Sequence, residues 1–431
     1  MQAELGTAFF TAEETDFLTQ TGPGTPMGTL FRRYWIPALL SEEISETDCP
    51  PVRVRILGED LVAFRDTGGR VGLIEPHCAH RGGHLFFGRN ERDGLRCAYH
   101  GWQYDVNGQC IDQPTEPPQR CFKDKIRLKS YPSRELGGVI WTYMGPPELM
   151  PELPQHEWAV VPESQRRRMR KELQECNYLQ AVEGGFDTAH LPFLHFGIDD
   201  GRNRPGGSRA AFDLVRGDTA PEIEVIESEF GLWIAGRRNA DEGHYYWRIN
   251  GFVLPFFQLR APGSHGYGGH AWVPIDDENC WVYSFYCHPT RPLTADEKAE
   301  PMTAASLIPG THRPVANKDN DYLIDRELQR TKSWTGIKEV RVQDIAIQES
   351  LGPIYDRSKE HLGATDSGIV ALRRCLIEAA EMAQQGKTPP GVPPASQRFR
   401  SASIILTKEQ PFLEGARDVL RAGPDAPFAG L

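Results

Sequence analysis

Apolar and polar residues alternate with a period of two in three short runs early in the chain. These are Val52–Leu57 (VRVRIL), Leu61–Arg65 (LVAFR) and Val71–Glu75 (VGLIE). Gly58-Glu59-Asp60 and Thr67-Gly68-Gly69 separate them, so the pattern predicts strands joined by tight turns. Gly138–Met144 (GVIWTYM) is largely apolar and predicts a further buried strand. This first segment reads as a small antiparallel β domain. The proline-rich polar run Gly145–Gln155 is the candidate boundary behind it. Beyond it the periods mix. A helix is predicted around Leu173–Ala189, strands at 222–227, 232–237, 245–254, 270–274 and 281–288, and two helices late in the chain. In the clearest of these, Ile369, Leu372, Leu376, Ala379 and Met382 form one apolar stripe and Gly386 suits the end. The following KTPPGVPPASQRFRS predicts an extended tail packed on the surface or on a neighbour.

Composition narrows the class. The chain has 431 residues, 39% hydrophobic and 25% charged, enough for a large core and roughly two to three domains. No run approaches the ~20 apolar residues needed to cross a bilayer, and the acid-bearing start MQAELGTAFFTAEETDF argues against a cleaved export signal. A net charge of −11 argues against nucleic acid and anionic membranes as partners. An anionic substrate would therefore need locally placed arginines. Nine scattered cysteines do not make a disulfide framework. They fit a cytoplasmic location with thiols free for metal.

Cys78-Ala79-His80 and Cys97-Ala98-Tyr99-His100 carry the strongest chemical signal. Two Cys/His pairs on separate loops can bring four ligands to one centre. Zinc accepts such a set as a tetrahedral site, and a [2Fe–2S] cluster accepts it with two thiolates on one iron and two imidazoles on the other. Each half here is Cys then His, so each loop can serve both irons, which favours the cluster. The glycines of HCAHRGGHLFFG and CAYHGWQYDVNGQC allow tight loops whose N–H groups face sulfur. With the following Gly101-Trp102 the pattern resembles the Rieske ferredoxin motif. His77 and His84 lie off its spacing and read as surface or packing residues, and Cys110 reads as core.

NYLQAVEGGFDTAHLPFLHFG (Asn177–Gly197) is the second concentration of chemistry. On a helix, Glu183, Asp187 and His190 would share one face. Pro192 would then disturb the helix and let His195 swing round to meet His190. Two histidines and a carboxylate can hold iron(II) with positions left for oxygen. Asp187 is badly placed to ligate but well placed to bond a ring N–H. Taken alone, packing histidines read equally well.

Together the two constellations resemble the α subunit of Rieske non-haem iron aromatic oxygenases. The resemblance runs from about residue 25 to 400, and GTPMGTLFRRYWIPALLSEE is most similar to the phthalate dioxygenase branch. It implies an α+β chain. Residues 1–29 would be an N-terminal segment packing on the catalytic domain, and 30–148 an all-β Rieske [2Fe-2S] domain. Residues 149–431 would be a helix-grip (START-like) catalytic domain with an antiparallel sheet and C-terminal helices. It implies that Cys78, His80, Cys97 and His100 hold the cluster and that His190 and His195 hold mononuclear Fe(II). Asp344 completes that site, with Asp356 and Asp366 as fallbacks. Asp187 would link to the Rieske histidine, His100, of a neighbouring subunit, and Asp187→Asn would keep both metals but lose coupled turnover. Glu183 reads as a polar residue supporting the site.

The activity so implied is that of a terminal oxygenase. It uses O2, and electrons from a separate NAD(P)H-dependent flavin/iron–sulfur reductase, to hydroxylate an aromatic carboxylate such as a phthalate or substituted benzoate. Arg248 is the first candidate for the substrate carboxylate, then Arg209 and Arg260. Arg237-Arg238 reads as a solvent-facing strand cap. The branch implies a homotrimer or stacked homohexamer. Oxidative O-demethylation of a methoxylated aromatic acid is the alternative. A non-catalytic Rieske electron carrier and a zinc-stabilised binding protein are the competing classes.

Overall fold

Short alternating runs punctuated by glycine build three small antiparallel sheets in the first part of the chain. The computed structural model describes residues 10–198, 209–263, 266–299 and 304–423. Strand β1 (Trp35–Leu40) is followed by β2 (Val52–Ile56), β3 (Glu59–Arg65) and β4 (Val71–Ile74), which form a meander. Leu57 and Gly58 turn between β2 and β3 with φ of 50° and 76°. Next come β5 (Arg89–Glu91), β6 (Gly94–Arg96), β7 (Gln103–Tyr104) and β8 (Cys110–Asp112), a four-stranded sheet in sequence order. Strands β9 (Ser133–Leu136) and β10 (Val139–Tyr143) close the third sheet, in which β10 lies between β9 and β1.

The second part is built on one eight-stranded antiparallel sheet. Its strands are β11 (Arg170–Gln174), β12 (Glu222–Ser228), β13 (Gly231–Asn239), β14 (His244–Val253), β15 (Phe257–Arg260), β16 (Tyr267–Pro274), β17 (Cys280–Cys287) and β18 (Ala402–Thr407). They run in the order β11-β17-β16-β15-β14-β13-β12, with β18 also paired to β14. The helix Ser367–Gln384 packs on β12, β13 and the helix Pro26–Phe31. Its buried residues include Ile369, Leu372, Leu376 and Ala379, the stripe read from sequence, and Gly386 follows at φ 74°. The fold class is that expected, an all-β first part and an α+β second part with an antiparallel sheet.

Two elements differ from the sequence reading. The helix expected over Leu173–Ala189 is divided. Arg170–Gln174 is an edge strand paired to β17, and only Tyr178–Phe186 is helical. The strand RKELQ is masked because its buried residues, on both faces, are polar. Lys171, Glu172 and Gln174 are all buried, and Lys171 pairs with Glu43 at 2.9 Å. Asn177 starts the helix by accepting from the Leu179 N–H. The tail after Gly386 does run along the surface of the core, but ASIILT behind it completes the sheet as β18.

The hydrophobic interior does not divide at Gly145–Gln155. One continuous cluster joins Trp35, Ile36 and Trp141 to Trp158, Phe257, Trp272 and Leu376. A separate small cluster of Phe64, Leu85, Leu95, Trp102 and Tyr104 surrounds Cys78, Cys97 and Cys110. Cys110 is core, as read.

Candidate metal centres

The two Cys/His loops are built alike. The Gly82 N–H donates to the Cys78 carbonyl at 2.9 Å, and the Gly101 N–H to the Cys97 carbonyl at 3.0 Å. Each cysteine N–H then donates across its own turn, Cys78 to Gly83 and Cys97 to Trp102. Gly82 and Gly101 both lie in the left-handed region, at φ 70° and 77°, which explains why glycine stands four residues after each cysteine. A Cβ at Gly83 would come within 3.1 Å of Cys97 Sγ. His80 and His100 face each other with ring centroids 4.4 Å apart, and His80 stacks on Trp102. His77 and His84 form a packing pair beside them, rings 5.2 Å apart.

These four residues fit a two-iron cluster. The thiols of Cys78 and Cys97 are buried and unbridged, and His80 Nδ1 is buried with no hydrogen-bond partner among the described residues. The set does not converge on one ion, as tetrahedral zinc requires. Among the described residues only His190, His195 and Asp344 bring three such ligand atoms within 4.8 Å of one another.

Tyr104 touches this centre. Its oxygen accepts from the Ala79 N–H at 3.2 Å and lies 3.2 Å from Cys78 Sγ, so its proton is free to point at sulfur. A donor to a cluster sulfur favours the reduced, more negative state. Tyr104→Phe is expected to lower the cluster potential by roughly 40–60 mV, for about 1 kcal/mol lost in a one-electron couple. Spectroelectrochemical titration measures this, and an unchanged potential would refute the contact.

The second centre rests on a sharp turn after the helix Tyr178–Phe186. Two glycines let that helix lie close to its neighbours. A Cβ at Gly185 would meet the Trp272 ring at 2.3 Å, and one at Gly184 the Gln348 side chain at 2.1 Å. The helix therefore nests between β16 and the helix Val340–Ser350, which carries Asp344. It stops earlier than the spacing argument requires. Asp187 is extended (φ −70°, ψ 114°), so His190 is not on the same helix as Glu183. Pro192 does not break a helix but opens a new single turn, Leu191–Leu194, where its missing N–H costs nothing. His190 and His195 flank that turn.

Their rings meet as the sequence required. The two Nε2 atoms are 3.1 Å apart, and Asp344 Oδ1 lies 3.2 Å from His195 Nε2 and 3.8 Å from His190 Nε2. The far side of each ring is also held. Asp187 Oδ2 is 3.5 Å from His190 Nδ1, while its Oδ1 accepts from the Ala189 and His190 N–H groups. Gln343 Oε1 is 2.9 Å from His195 Nδ1. Burial works to raise the Asp344 carboxyl pKa, but the His195 and His190 imidazoles and Arg341 outweigh it and hold it well below its ordinary value. Asp187 is lowered likewise, burial being outweighed by its bond to His190. Three ligand atoms of two kinds, their outer faces fixed, fit a facial iron(II) site.

The other acids are spent elsewhere. Asp356 caps a local turn and pairs with Lys359. Asp366 accepts from the Gly363 N–H. Glu183 reaches no residue of the triad, because both its oxygens are taken by Arg357 and Arg373, and Glu360 completes the network. Both arginines are essentially inaccessible, at 0% and 1%. Glu183→Ala is thus expected to strand the buried Arg357 guanidinium, while Arg373 keeps Glu360, and to cost about 3–5 kcal/mol, read as a lowered denaturant midpoint. An unchanged midpoint would show that the network is not needed.

Arg237-Arg238 is not a solvent cap. Alternation along β13 sends the two side chains to opposite faces. Arg237 pairs with Glu222, whereas Arg238 is fully buried and donates to the Thr188 carbonyl at 2.7 Å, bracing the turn that bears Asp187 and His190. The side chain of Arg209, which begins the helix Arg209–Gly217, lies outside the described residues. Arg248 and Arg260 have no ion-pair partner among the described residues, and Arg248 Nε is buried without a hydrogen bond. Arg260 is accessible to solvent, yet burial, then Arg248 and Arg167, lower its pKa. His270 bonds Ser284 Oγ at 3.0 Å and is held well below its ordinary pKa by burial, then by Arg341 and Arg260. Sequence reasoning missed Gln343, Arg238 and His270. Only Gln343 had a signal, its place beside Asp344.

Comparison with known proteins gives two family matches, the Rieske [2Fe-2S] domain over residues 34–132 and the LigXa C-terminal domain like family over residues 142–412. The 3-chlorobenzoate-3,4-dioxygenase oxygenase subunit of Comamonas testosteroni is 37% identical over 91% of this chain and 94% of its own length. The phthalate 4,5-dioxygenase oxygenase subunit of Pseudomonas putida is 37% identical over 93% of each. The 5,5'-dehydrodivanillate O-demethylase oxygenase subunit of Sphingobium sp. (strain NBRC 103272 / SYK-6) is 34% identical over 88% of this chain and 83% of its own. Among solved structures, NdmA of Pseudomonas putida CBB5 with caffeine superposes with a TM-score of 0.59 at 16% identity, covering 89% of this chain and 98% of that one. Dicamba monooxygenase bound to dicamba gives 0.54 at 19%, covering 82% and 98%. These two speak for the fold alone.

Proposed function

The chain belongs to the Rieske non-haem iron oxygenases, and on that premise we propose that Cys78, His80, Cys97 and His100 hold its [2Fe–2S] cluster while His190, His195 and Asp344 hold its mononuclear iron. It is an oxygenase subunit that takes electrons from a separate reductase, which excludes the electron-carrier and zinc-protein readings. That the reductase is a flavin/iron–sulfur protein fed by NAD(P)H is part of the proposal, as is cytoplasmic location. No described helix is long and apolar enough to cross a membrane. The observation that carries the site reading is the His190–His195–Asp344 convergence, which no pairing or packing role demands.

When bound, the two metals supply single electrons and activated oxygen. The rest falls to the chain. Asp187 holds His190 by its ring N–H, Arg238 braces the turn beneath, and Arg341 stays tied to Glu172 and Gln174. Arg248 and Arg260, without an ion-pair partner among the described residues, offer guanidiniums to a substrate carboxylate, with Arg209 as a further candidate. The aromatic carboxylate proposed as substrate, a phthalate or substituted benzoate, matches the charge of these arginines and the names of the relatives.

Among the described residues no hydrogen bond, ion pair or ring contact joins the Cys/His loops to the Asp187–His195 turn. This supports a homotrimer or stacked homohexamer in which His100 of one subunit reaches Asp187 of another. The side chains fit the role, Asp187 being 30% exposed and Tyr99, next to His100, 58% exposed. The packing of 1–29 on the catalytic part is supported by Tyr178 donating to the Leu18 carbonyl and Asn177 to the Thr19 carbonyl, and the division into 30–148 and 149–431 by the two family matches, although one hydrophobic cluster spans it.

Reductase-supplied NADH and oxygen uptake, screened over phthalates, benzoates and methoxybenzoates with product analysis, tests the proposal. Product carrying label from ¹⁸O2 is expected with an aromatic acid, and formaldehyde release would identify O-demethylation instead. Oxygen uptake yielding only peroxide with every acid would defeat the substrate assignment.

A further inference from the structure

We propose that Gln343 is a positioning residue that decides which ring nitrogen of His195 carries the proton. The inference rests on reading His190, His195 and Asp344 as the iron centre. Two hydrogen bonds in series fix the sense. Gln343 Nε2 lies 2.7 Å from the Ile337 carbonyl oxygen, which can only accept, so the amide nitrogen donates there. The reverse orientation would set two carbonyl oxygens against each other. Gln343 Oε1 is thereby turned to His195 Nδ1, 2.9 Å away, and it too can only accept. Nδ1 therefore carries the hydrogen, and in a neutral imidazole Nε2 is left with its lone pair exposed. That is the atom 3.1 Å from His190 Nε2 and 3.2 Å from Asp344 Oδ1.

The position of Gln343 suits this task. It is 4% exposed, so water does not readily replace it. It stands next to Asp344 on the helix Val340–Ser350, so the group aiming one ligand and the group supplying another move as one body. The two histidines are aimed by different means. His190 faces the carboxylate of Asp187, whereas His195 faces a neutral amide that orients the ring without adding a second anion behind it.

The test compares full-length wild type, Gln343→Met and Gln343→Glu after dialysis against a mild iron(II) chelator, with Rieske absorbance as the internal reference. Methionine keeps the bulk and removes the acceptor; glutamate keeps an acceptor for His195 Nδ1 and gives up only the N–H donated to the Ile337 carbonyl. Gln343→Met is expected to weaken mononuclear iron retention about 10–100-fold, and Gln343→Glu to stay within about threefold of wild type. Ring-¹⁵N histidine spectra of protein stripped of mononuclear iron should show His195 protonated at Nδ1 in wild type and at both nitrogens in Gln343→Met. Iron retained by Gln343→Met, equal loss in both variants, or a ring still wholly Nδ1-protonated in Gln343→Met overturns the inference. His195→Ala separates the two levels. If it keeps its mononuclear iron, the triad reading fails. If it loses iron while Gln343→Met keeps it, only the role of Gln343 fails.

Discussion

Asp344→Ala is expected to reduce iron from about three atoms per chain to about two while leaving the Rieske spectrum intact. Among the described residues Asp344 is the one anion whose oxygen converges with the two Nε2 atoms. Without it two neutral imidazoles remain, and they cannot balance a divalent ion. The loss should stay local. Arg341, which lies 4.0 Å from Asp344 Oδ2, is already bonded to Glu172 and Gln174 and has no need to move. The Cys/His loops belong to a separate packed cluster. Product formation should fall by more than about a thousandfold, because the lost metal accounts for several kcal/mol of the barrier. Metal analysis beside visible absorbance of the same sample decides the matter. A full complement of iron in the variant would remove Asp344 from the ligand set and reopen the choice of carboxylate.

How far the sequence could be read depended on whether its signals were local. The two Cys/His loops were legible because each is a closed turn of five residues in which cysteine, histidine and glycine stand close together. His190 and His195 were legible for the same reason, although the path between them was not. The spacing argument extended one helix through Asp187, whereas extended backbone there and a fresh turn at Pro192 give the same convergence by another route. Asp344 lies far along the chain, and only the family pattern singled it out. Arg238 shows what a residue pair hides. Two adjacent arginines on a strand point to opposite faces, so at least one had to go inward. Reading them as a solvent cap followed from ending the strand at 237, whereas it runs on to Asn239. Gln343 and His270 carry no pattern beyond the place of Gln343 beside Asp344. Their roles come from side chains on other elements, His195 for the first and Ser284 for the second.

Asp187→Asn is expected to cost both iron retention and electron delivery, and the geometry says why it is a harsher change than the motif alone suggested. The carboxylate works on two sides, Oδ1 accepting from the Ala189 and His190 N–H groups and Oδ2 facing the His190 ring at 3.5 Å. An amide has one acceptor, so it must turn its NH2 either toward the backbone donors or toward the ring. In the second case it pushes the His190 proton toward the metal-facing nitrogen. Mononuclear iron should therefore bind about 10–100-fold more weakly, which revises the expectation that both metals stay in place. With iron(II) restored by excess, a second defect should persist. The carboxylate is the exposed group beside His190 through which a neighbouring cluster would couple, and an amide neither carries its charge nor keeps its bonds. Reoxidation of the reduced cluster, followed at its visible band after mixing with substrate and O2, should slow at least about a hundredfold. Reduction by the reductase should be unaffected. If the iron-replete variant reoxidises its cluster at the wild-type rate, Asp187 is a ligand-aiming residue only and the route between subunits lies elsewhere.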